Sequence, residues 1–290
     1  MKIITGSTMN VTESMKTNIT IITPSYNMAD YLPQTIESVL SNLEEDDEYY
    51  IIDGGSTDES VDVIKQYEDK ITGWISEKDD GYAHALSKGF EKAEGDILCW
   101  INAGDLLLPH TFDIVRLFFS ENKNTELIFG DDYHINEEGV VLQHSKGKVS
   151  DLSKIMMFGG WTPLQDACFW RKELYERVNG IDKHLKYAAD YDMFLKMSLS
   201  GQYEYIPAVL SAFRKHDGQK SIQFMHEYRN ERYSSMKNAR SNFDANPLIK
   251  RAQIILYWVW VRMRSRLFFL NSCKSNNVGE NINSLSAFKL

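Results

Sequence analysis

Carboxylates stand where apolar runs stop. The run Tyr49 to Ile52 ends in Asp53 and the segment DGGSTD, ITGWISE gives way to Asp79 and Asp80, and DILCWI breaks into Asn102, Ala103, Gly104 and Asp105. Later, AADYD carries Asp190 and Asp192, and RKHDGQKS gathers Arg214, Lys215, His216 and Lys220 ahead of Ser221. A carboxylate at a strand end can accept hydrogen bonds from ribose hydroxyls or a base edge, ligate a hard cation such as Mg2+ or Mn2+, or take a proton from an attacking hydroxyl. A basic loop suits diphosphate charge. Each feature also has a plainer reading. DGGSTD could be only a glycine turn in which Ser56 and Glu59 box the start of a helix, which would leave Asp53 without a capping duty. Asp105 could cap the helix after Pro109, Asp190 could offset a helix dipole, and RKHDGQKS could be a solvated loop.

The elements around these residues alternate. From Asn18 the chain reads strand, loop, helix, repeated: NITIITPSYN with Pro33 opening a helix over TIESVLSNL, then the strand before Asp53, the short strand ITGWISE, the helix HALSKGFEKAEG and the strand DILCWI. This pattern predicts an α/β fold with a mixed, mainly parallel sheet flanked by helices. Such a sheet gathers ligands beyond the carboxyl ends of its strands, where Tyr26, Asn27, Asp53, Asp79, Asp80 and Asn102 to Asp105 would all lie. Beyond Asp105 a helix over HTFDIVRLFFSEN leads to a hairpin, ELIFGDDYHI and VVLQHSKG, turning at Glu138 and Gly139. ACFWRKELYERVNGID and YAADYDMFLKMSLSG read as two further helices. Residues 1–17 read as a loose leader, 18–222 as the α/β domain, and 223–290 as a helical, aromatic and basic C-terminal extension.

Composition narrows the class. A net charge of -9 argues against nucleic acid as a partner. The cysteines Cys99, Cys168 and Cys273 are scattered, implying neither a disulfide framework nor zinc. The N-terminus lacks the apolar core of a signal peptide, and the run Ala252 to Val261 is too short to span a bilayer, so a cytoplasmic location is expected. Within the extension, Arg251 to Lys274 holds five basic residues and no acidic one among Tyr257, Trp258, Trp260, Phe268 and Phe269. That stretch reads either as a packed helix or as an interfacial segment lying peripherally on the anionic inner face of the cell membrane. The chain has no G-x-x-x-x-G-K-[ST], G-x-G-x-x-G or H-E-x-x-H motif. Nucleotide binding would therefore rest on carboxylates and a metal.

In their order and spacing, ITIITPSYN, YIIDGGSTDES, SEKDDGYAHALSKG, ILCWINAGD, CFWRKELYERVNGID, AADYDMFLKM and RKHDGQKS resemble the family 2 glycosyltransferases of GT-A fold, over roughly Asn18 to Ser221. The resemblance implies an inverting transfer of a sugar from a nucleoside-diphosphate sugar, UDP-linked, to a hydroxyl of a saccharide or lipid-linked acceptor in surface-polysaccharide synthesis. It implies that Asp53 and Asp79 hold the nucleoside together with Asn102, and that Pro24, Ser25 and Tyr26 form the first nucleotide loop. INAGD matches the family's metal-binding motif, with Asp105 as the surviving ligand for a divalent cation. Gln165, Phe169, Trp170 and Arg171 match the segment beside donor sugar and acceptor, Asp190 the catalytic base, and His216 and Ser221 a loop closing over the phosphates beside Arg214. Three positions depart from the pattern: Gly104 removes one metal ligand, Ala189 replaces the acid beside the base, and His84 stands where Asp is usual. The first and second of these leave open a non-catalytic nucleotide-sugar-binding protein on the same fold. A nucleotidyltransferase would instead need a glycine-rich basic loop where this chain has PSYNMADYLP.

Overall fold

The computed structural model describes residues 17–147, 151–157, 160, 162–216, 224–241 and 278–282. Strands β1 (Ile19–Ser25), β2 (Glu48–Asp53), β3 (Gly73–Ser76) and β4 (Ile97–Trp100) pair in parallel in the order β3-β2-β1-β4. The sheet then becomes mixed. β8 (Cys168–Arg171) is antiparallel to β4 and to β6 (Leu127–Ile135), β9 (Tyr203–Arg214) runs parallel to β6, and β5 (Leu106–Leu107) is antiparallel to β9 at the far edge. β7 (Val141–Ser145) returns from β6 as the expected hairpin, with Gly139 at the turn in the left-handed region, φ 82°.

The apolar runs of the parallel strands are buried on both faces, as strands covered by helices must be. Ile22, Ile52, Leu98 and Trp100 face one layer, with α3 (Tyr82–Phe90) and α7 (Ala189–Ser200). Ile21, Ile51, Cys99 and Ile101 face the other, with α1 (Leu32–Leu40) and α4 (Thr111–Glu121). Beneath α7 the rings of Trp100 and Phe194 stack at 5.7 Å, and Trp170 meets both edge-on. This aromatic block packs the middle of α7 against the sheet.

Two expectations need correction. ACFWRKELYERVNGID is not helical from its start: Cys168–Arg171 form β8, and α6 occupies Lys172–Arg177. CFWR lies between two strands and pairs with both, and that tertiary pairing overrides a helical pattern that becomes amphipathic only after Arg171. Ser56 and Glu59 do not box a helix either. α2 (Ser60–Lys65) starts four residues later, and Asp58 Oδ1 accepts from Ser60 N at 3.0 Å.

Helix α8 (Met225–Ser241), within the stretch read from sequence as the extension, packs on α7 and on α5 (Leu152–Met157). Residues 278–282 return to the hairpin: Val141 N donates to Glu280 O, Ile282 N to Gly139 O, and Ile282 is buried with Leu106, Leu108 and Tyr133. The basic, aromatic stretch Arg251 to Lys274 lies outside the described residues. Among the described residues no helix is long and apolar enough to cross a membrane.

Candidate active site

The carboxyl ends of β1, β2 and β4 are laced together by their own loops. Gly54 N donates to Ser25 O, and Ala103 N to Pro24 O. Asn27, at φ 53°, joins the first loop to the second: its N–H reaches Ser56 Oγ at 2.8 Å while its Oδ1 accepts from Thr57 N at 2.8 Å. Met28 N and Ala29 N continue the lacing to Ser60 Oγ and Asp58 Oδ2. Tyr26 is left at the tip, 53% exposed. The Ser25 hydroxyl, at the base of the same loop, is buried with no hydrogen-bond partner among the described residues.

Asp53 differs from its expected role. It is fully buried, with Oδ2 accepting from Gly55 N (3.1 Å), Ser56 N (2.9 Å) and Ser76 Oγ (2.7 Å), and Oδ1 from Ser56 Oγ (2.5 Å). The carboxylate therefore organises the DGGSTD turn, and Ser56 serves it. Asp79 is the more open acid. It is partly exposed, its Oδ1 accepts from Gly81 N at 2.8 Å, and its Oδ2 lies 2.7 Å from where a Cβ on Gly54 would stand. Only glycine at 54 leaves room for it.

The INAGD turn is held from below. Arg214 is 1% exposed, and its guanidinium donates to Gly104 O (2.9 Å), Asn136 O (3.2 Å), Glu137 O (2.6 Å) and Gln34 Oε1 (2.6 Å), with Tyr31 beneath it at 5.0 Å. Arg214 thus pins the turn from inside and does not present its charge to a diphosphate. Gly104 takes φ 110°, a backbone conformation that favours glycine, so its glycine serves the turn. Asn102 Nδ2 donates to Gln165 Oε1 (2.8 Å) and Asp105 Oδ2 (3.2 Å), and Gln165 Nε2 returns to Trp100 O. The His216 ring lies tilted against Tyr31 at 5.8 Å, which brings the head of the RKHDGQKS loop beside the loop that follows β1.

Asp105 is 4% exposed, with Oδ1 accepting from Arg214 N at 2.9 Å and Oδ2 from Asn102. Burial pushes its pKa up to about 7, Asp132 adding to the rise against the hydrogen bonds from Arg214 and Asn102. Asp166 is pushed well above the carboxylate range by burial and by its neighbours Asp132 and Asp105, and it accepts from Ser211 Oγ at 2.7 Å. These residues offer a cation one carboxylate, Asp105, so its other ligands would have to come from nucleotide phosphates and water. Each Asp105 oxygen already accepts a hydrogen bond, Gly104 offers no side chain, and among the described residues no three His, Cys, Asp or Glu side chains converge as a ligand set.

Asp190 heads α7 and is partly buried. Burial lifts its pKa to about 6, against hydrogen bonds from Tyr191 N and Tyr82 and the charge of Arg232. The Tyr82 hydroxyl lies 3.4 Å from Asp190 Oδ1. Tyr82 is the first residue of α3, which starts at the Gly81 bound by Asp79, so Asp190 is tied to the loop that carries Asp79 through one helix start.

The fold thus brings Pro24, Ser25, Tyr26, Asp79, Asn102, Asp105, Gln165 and His216 to one end of the sheet. It does not bring Trp170 and Arg171 there. Trp170 lies in the aromatic block, and Arg171 donates to Thr125 O and Phe119 O on the far side of β8. Ser221 lies outside the described residues. Sequence reasoning passed over Tyr82, Asp132, Asp166, Glu231 and Arg232. An acid set in a buried run, as in FGDD and LQDACFW, is the signal that marks Asp132 and Asp166.

A nucleotide-type loop array at the carboxyl end of such a mixed sheet defines the GT-A glycosyltransferase class. S. aureus TarS, solved in complex with UDP-GlcNAc, superposes with a TM-score of 0.66 at 15% identity over 83% of this chain and 71% of that one. The mannosyltransferase PcManGT from Pyrobaculum calidifontis, solved with GDP-Man and Mn2+, gives 0.57 at 16% identity over 79% and 66%. Residues 20–171, more than half of the chain, match glycosyl transferase family 2, and the chain belongs to that family. An uncharacterized glycosyltransferase of Nostoc sp. is 31% identical over 177 residues, 57% of this chain and 54% of that protein. The chondroitin synthase of Pasteurella multocida is 23% identical over 65% of this chain and 20% of its own length. The chain therefore spans about half of the Nostoc relative and a fifth of the synthase.

Proposed function

We propose that the protein transfers a sugar, with inversion, from a UDP-linked donor to a hydroxyl of a saccharide or lipid-linked acceptor in surface-polysaccharide assembly. The observation that carries this reading is the placement of Asp190, a carboxylate lifted by burial to a pKa of about 6, at a helix start tied to the nucleotide loops through Tyr82 and Asp79. At neutral pH such a group is ionised yet more basic than an ordinary carboxylate. The acceptor hydroxyl gives its proton to Asp190 as its oxygen bonds to the anomeric carbon. The bond from that carbon to the diphosphate breaks, and the nucleoside diphosphate leaves with the electron pair. UDP-GlcNAc in TarS and GDP-Man in PcManGT support a nucleotide sugar as donor. Asp79 and the exposed Tyr26 border the nucleoside position, with Asp53 shaping the turn between them. No step is assigned to a cation, because Asp105 faces Arg214 and Asn102. The stretch Arg251 to Lys274 is proposed to rest on anionic lipid beside a lipid-linked acceptor.

Asp190→Asn tests the reading. It should leave UDP binding intact and lower turnover of the donor sugar by about 10² or more, the size of a lost general base. Turnover near wild type would remove Asp190 from the reaction. A donor panel that binds and is never turned over would favour the non-catalytic alternative.

A further inference from the structure

Five consecutive backbone N–H groups lead into and open α7, and two distant side chains accept all of them. Glu231 Oε1 accepts from Lys186 N at 3.0 Å, and its Oε2 from Tyr187 N at 2.9 Å and Ala188 N at 2.8 Å. Tyr82 Oη accepts from Ala189 N at 2.9 Å and Asp190 N at 3.2 Å. A helix start normally satisfies such donors with a side chain at its own N-cap. Here the N-cap is Ala188, which has none to offer. The caps come from α3 and α8 instead, so three separate parts of the chain must be in register for the first turn of α7 to form.

The chemistry of the two groups suits what they hold. Glu231 places negative charge at the positive end of α7. Tyr82, with its lone pairs directed at two amides, has one proton left to donate, and its oxygen lies 3.4 Å from both Asp190 Oδ1 and Tyr187 O. We infer that Tyr82 and Glu231 are positioning residues for Asp190: Tyr82 fixes the first turn of α7 and the carboxylate's Oδ1, and Glu231 fixes the approach through residues 186–188. The inference rests on the reading of Asp190 as the base. A carboxylate that must meet an acceptor hydroxyl within hydrogen-bond reach loses rate steeply when displaced by even an ångström. The charged and titratable groups around Asp190 are Tyr82 from α3, Tyr228 and Arg232 from α8, and Cys168 from β8. Arg232 is itself held, donating to Gly160 O at 2.7 Å and lying 4.3 Å above the Tyr191 ring.

Tyr82→Phe and Glu231→Gln in the full chain test this, each read in three ways. Amide exchange should quicken by about tenfold or more at 189 and 190 in Tyr82→Phe, and at 186–188 in Glu231→Gln, as local opening replaces a hydrogen bond. The carboxyl 13C titration of Asp190, assigned by its loss in Asp190→Asn, should move upward from about 6 in Tyr82→Phe, which loses a hydrogen bond to the ionised form, and stay in place in Glu231→Gln. Release of UDP from a turned-over UDP-sugar should fall by about tenfold or more in kcat in both, with the donor KM little changed. Folded variants with wild-type titration and wild-type kcat would overturn the inference. Activity in Asp190→Asn would overturn the reading of the base alone, because exchange and titration report the clamp without substrate. If Tyr82→Phe does not fold, Glu231→Gln decides through exchange and kcat.

Discussion

Replacing Arg214 by methionine keeps an apolar stem of similar length and removes the guanidinium fork that supports the INAGD turn. Four acceptors lose the guanidinium, Gly104 O, Asn136 O, Glu137 O and Gln34 Oε1, of which Asn136 O keeps a second donor in Gly139 N. Gly104 O is buried, so losing its donor costs about 1 kcal/mol or more, whereas the carbonyls of the partly buried Asn136 and the exposed Glu137 lose less. Against this, methionine no longer carries a charge that burial depresses, which returns part of the loss. The net should be a destabilisation of about 2 kcal/mol, or roughly 4 to 8 °C in Tm for a chain of this size. Arg214→Lys should lose most of the same amount, since one ammonium cannot reach acceptors on three segments. Urea and thermal unfolding measure stability, and UDP titration measures whether the turn still shapes the nucleotide loops. A change within about 0.5 kcal/mol, the range of an ordinary surface substitution, would refute the account of Arg214 as an internal strut. Unchanged stability with lost UDP binding would return it to the role of diphosphate ligand.

Gly54→Ala should fold, yet its Cβ would meet Asp79 Oδ2 at 2.7 Å; displacing that acid should weaken UDP binding by about tenfold, and unchanged calorimetric affinity would detach Asp79 from the nucleotide. Asp105, Asp166 and Asp190 have folded pKa values raised above the unfolded ones, so their stabilising contribution is complete below the unfolded pKa and is lost as pH rises through about 6 for Asp190 and about 7 for Asp105. Tm should therefore be higher at pH 5.5 than at pH 8, with the slope reduced in Asp166→Asn; a Tm that climbs steadily over that interval would contradict the burial of these acids. EDTA without nucleotide should leave Tm unchanged, because the described residues build no cation site, and a clear drop would show one. Protein lacking residues from 247 onward should lose salt-sensitive co-sedimentation with anionic vesicles, and equal sedimentation of both forms would leave the basic stretch a packing element.

What the sequence made legible was the parallel half of the sheet. Ile19 to Ser25, Glu48 to Asp53 and Ile97 to Trp100 are rich in β-branched and aromatic residues and stop at Pro, Gly or Asn, and that is a local signal of a buried strand. Cys168–Arg171 carried no comparable mark, because a four-residue strand owes its form to partners on both sides. Side-chain direction was the larger gap. Asp53, Asp105 and Arg214 stand where their types suggest ligand contact, and all three point inward to complete turns. Nothing local separates an arginine that meets phosphate from one that meets carbonyls on Gly104 and Glu137. The groups that hold Asp190 were out of reach for a different reason: Tyr82 lies 108 residues from it, and Glu231 lies in a polar helix whose pattern reads as surface.

The two halves of the proposed reaction meet through a short relay of contacts. Asp53 closes the turn that carries Gly54, and Gly54 makes room for Asp79. Asp79 then binds Gly81 N at the start of α3, and the next residue, Tyr82, holds the first turn of α7. The nucleotide contact proposed at Asp79 and the orientation of Asp190 thus share one helix start. A shift of α3 on nucleotide binding would move the tyrosine hydroxyl against the two amides that it caps, and Glu231 fixes the other side of that start from α8. Because α7 is gripped from both sides while its own N-cap contributes nothing, its first turn is more sensitive to its neighbours than a self-capped helix would be. An acceptor base built this way takes its position from whether the donor loops and the C-terminal helix are both in place.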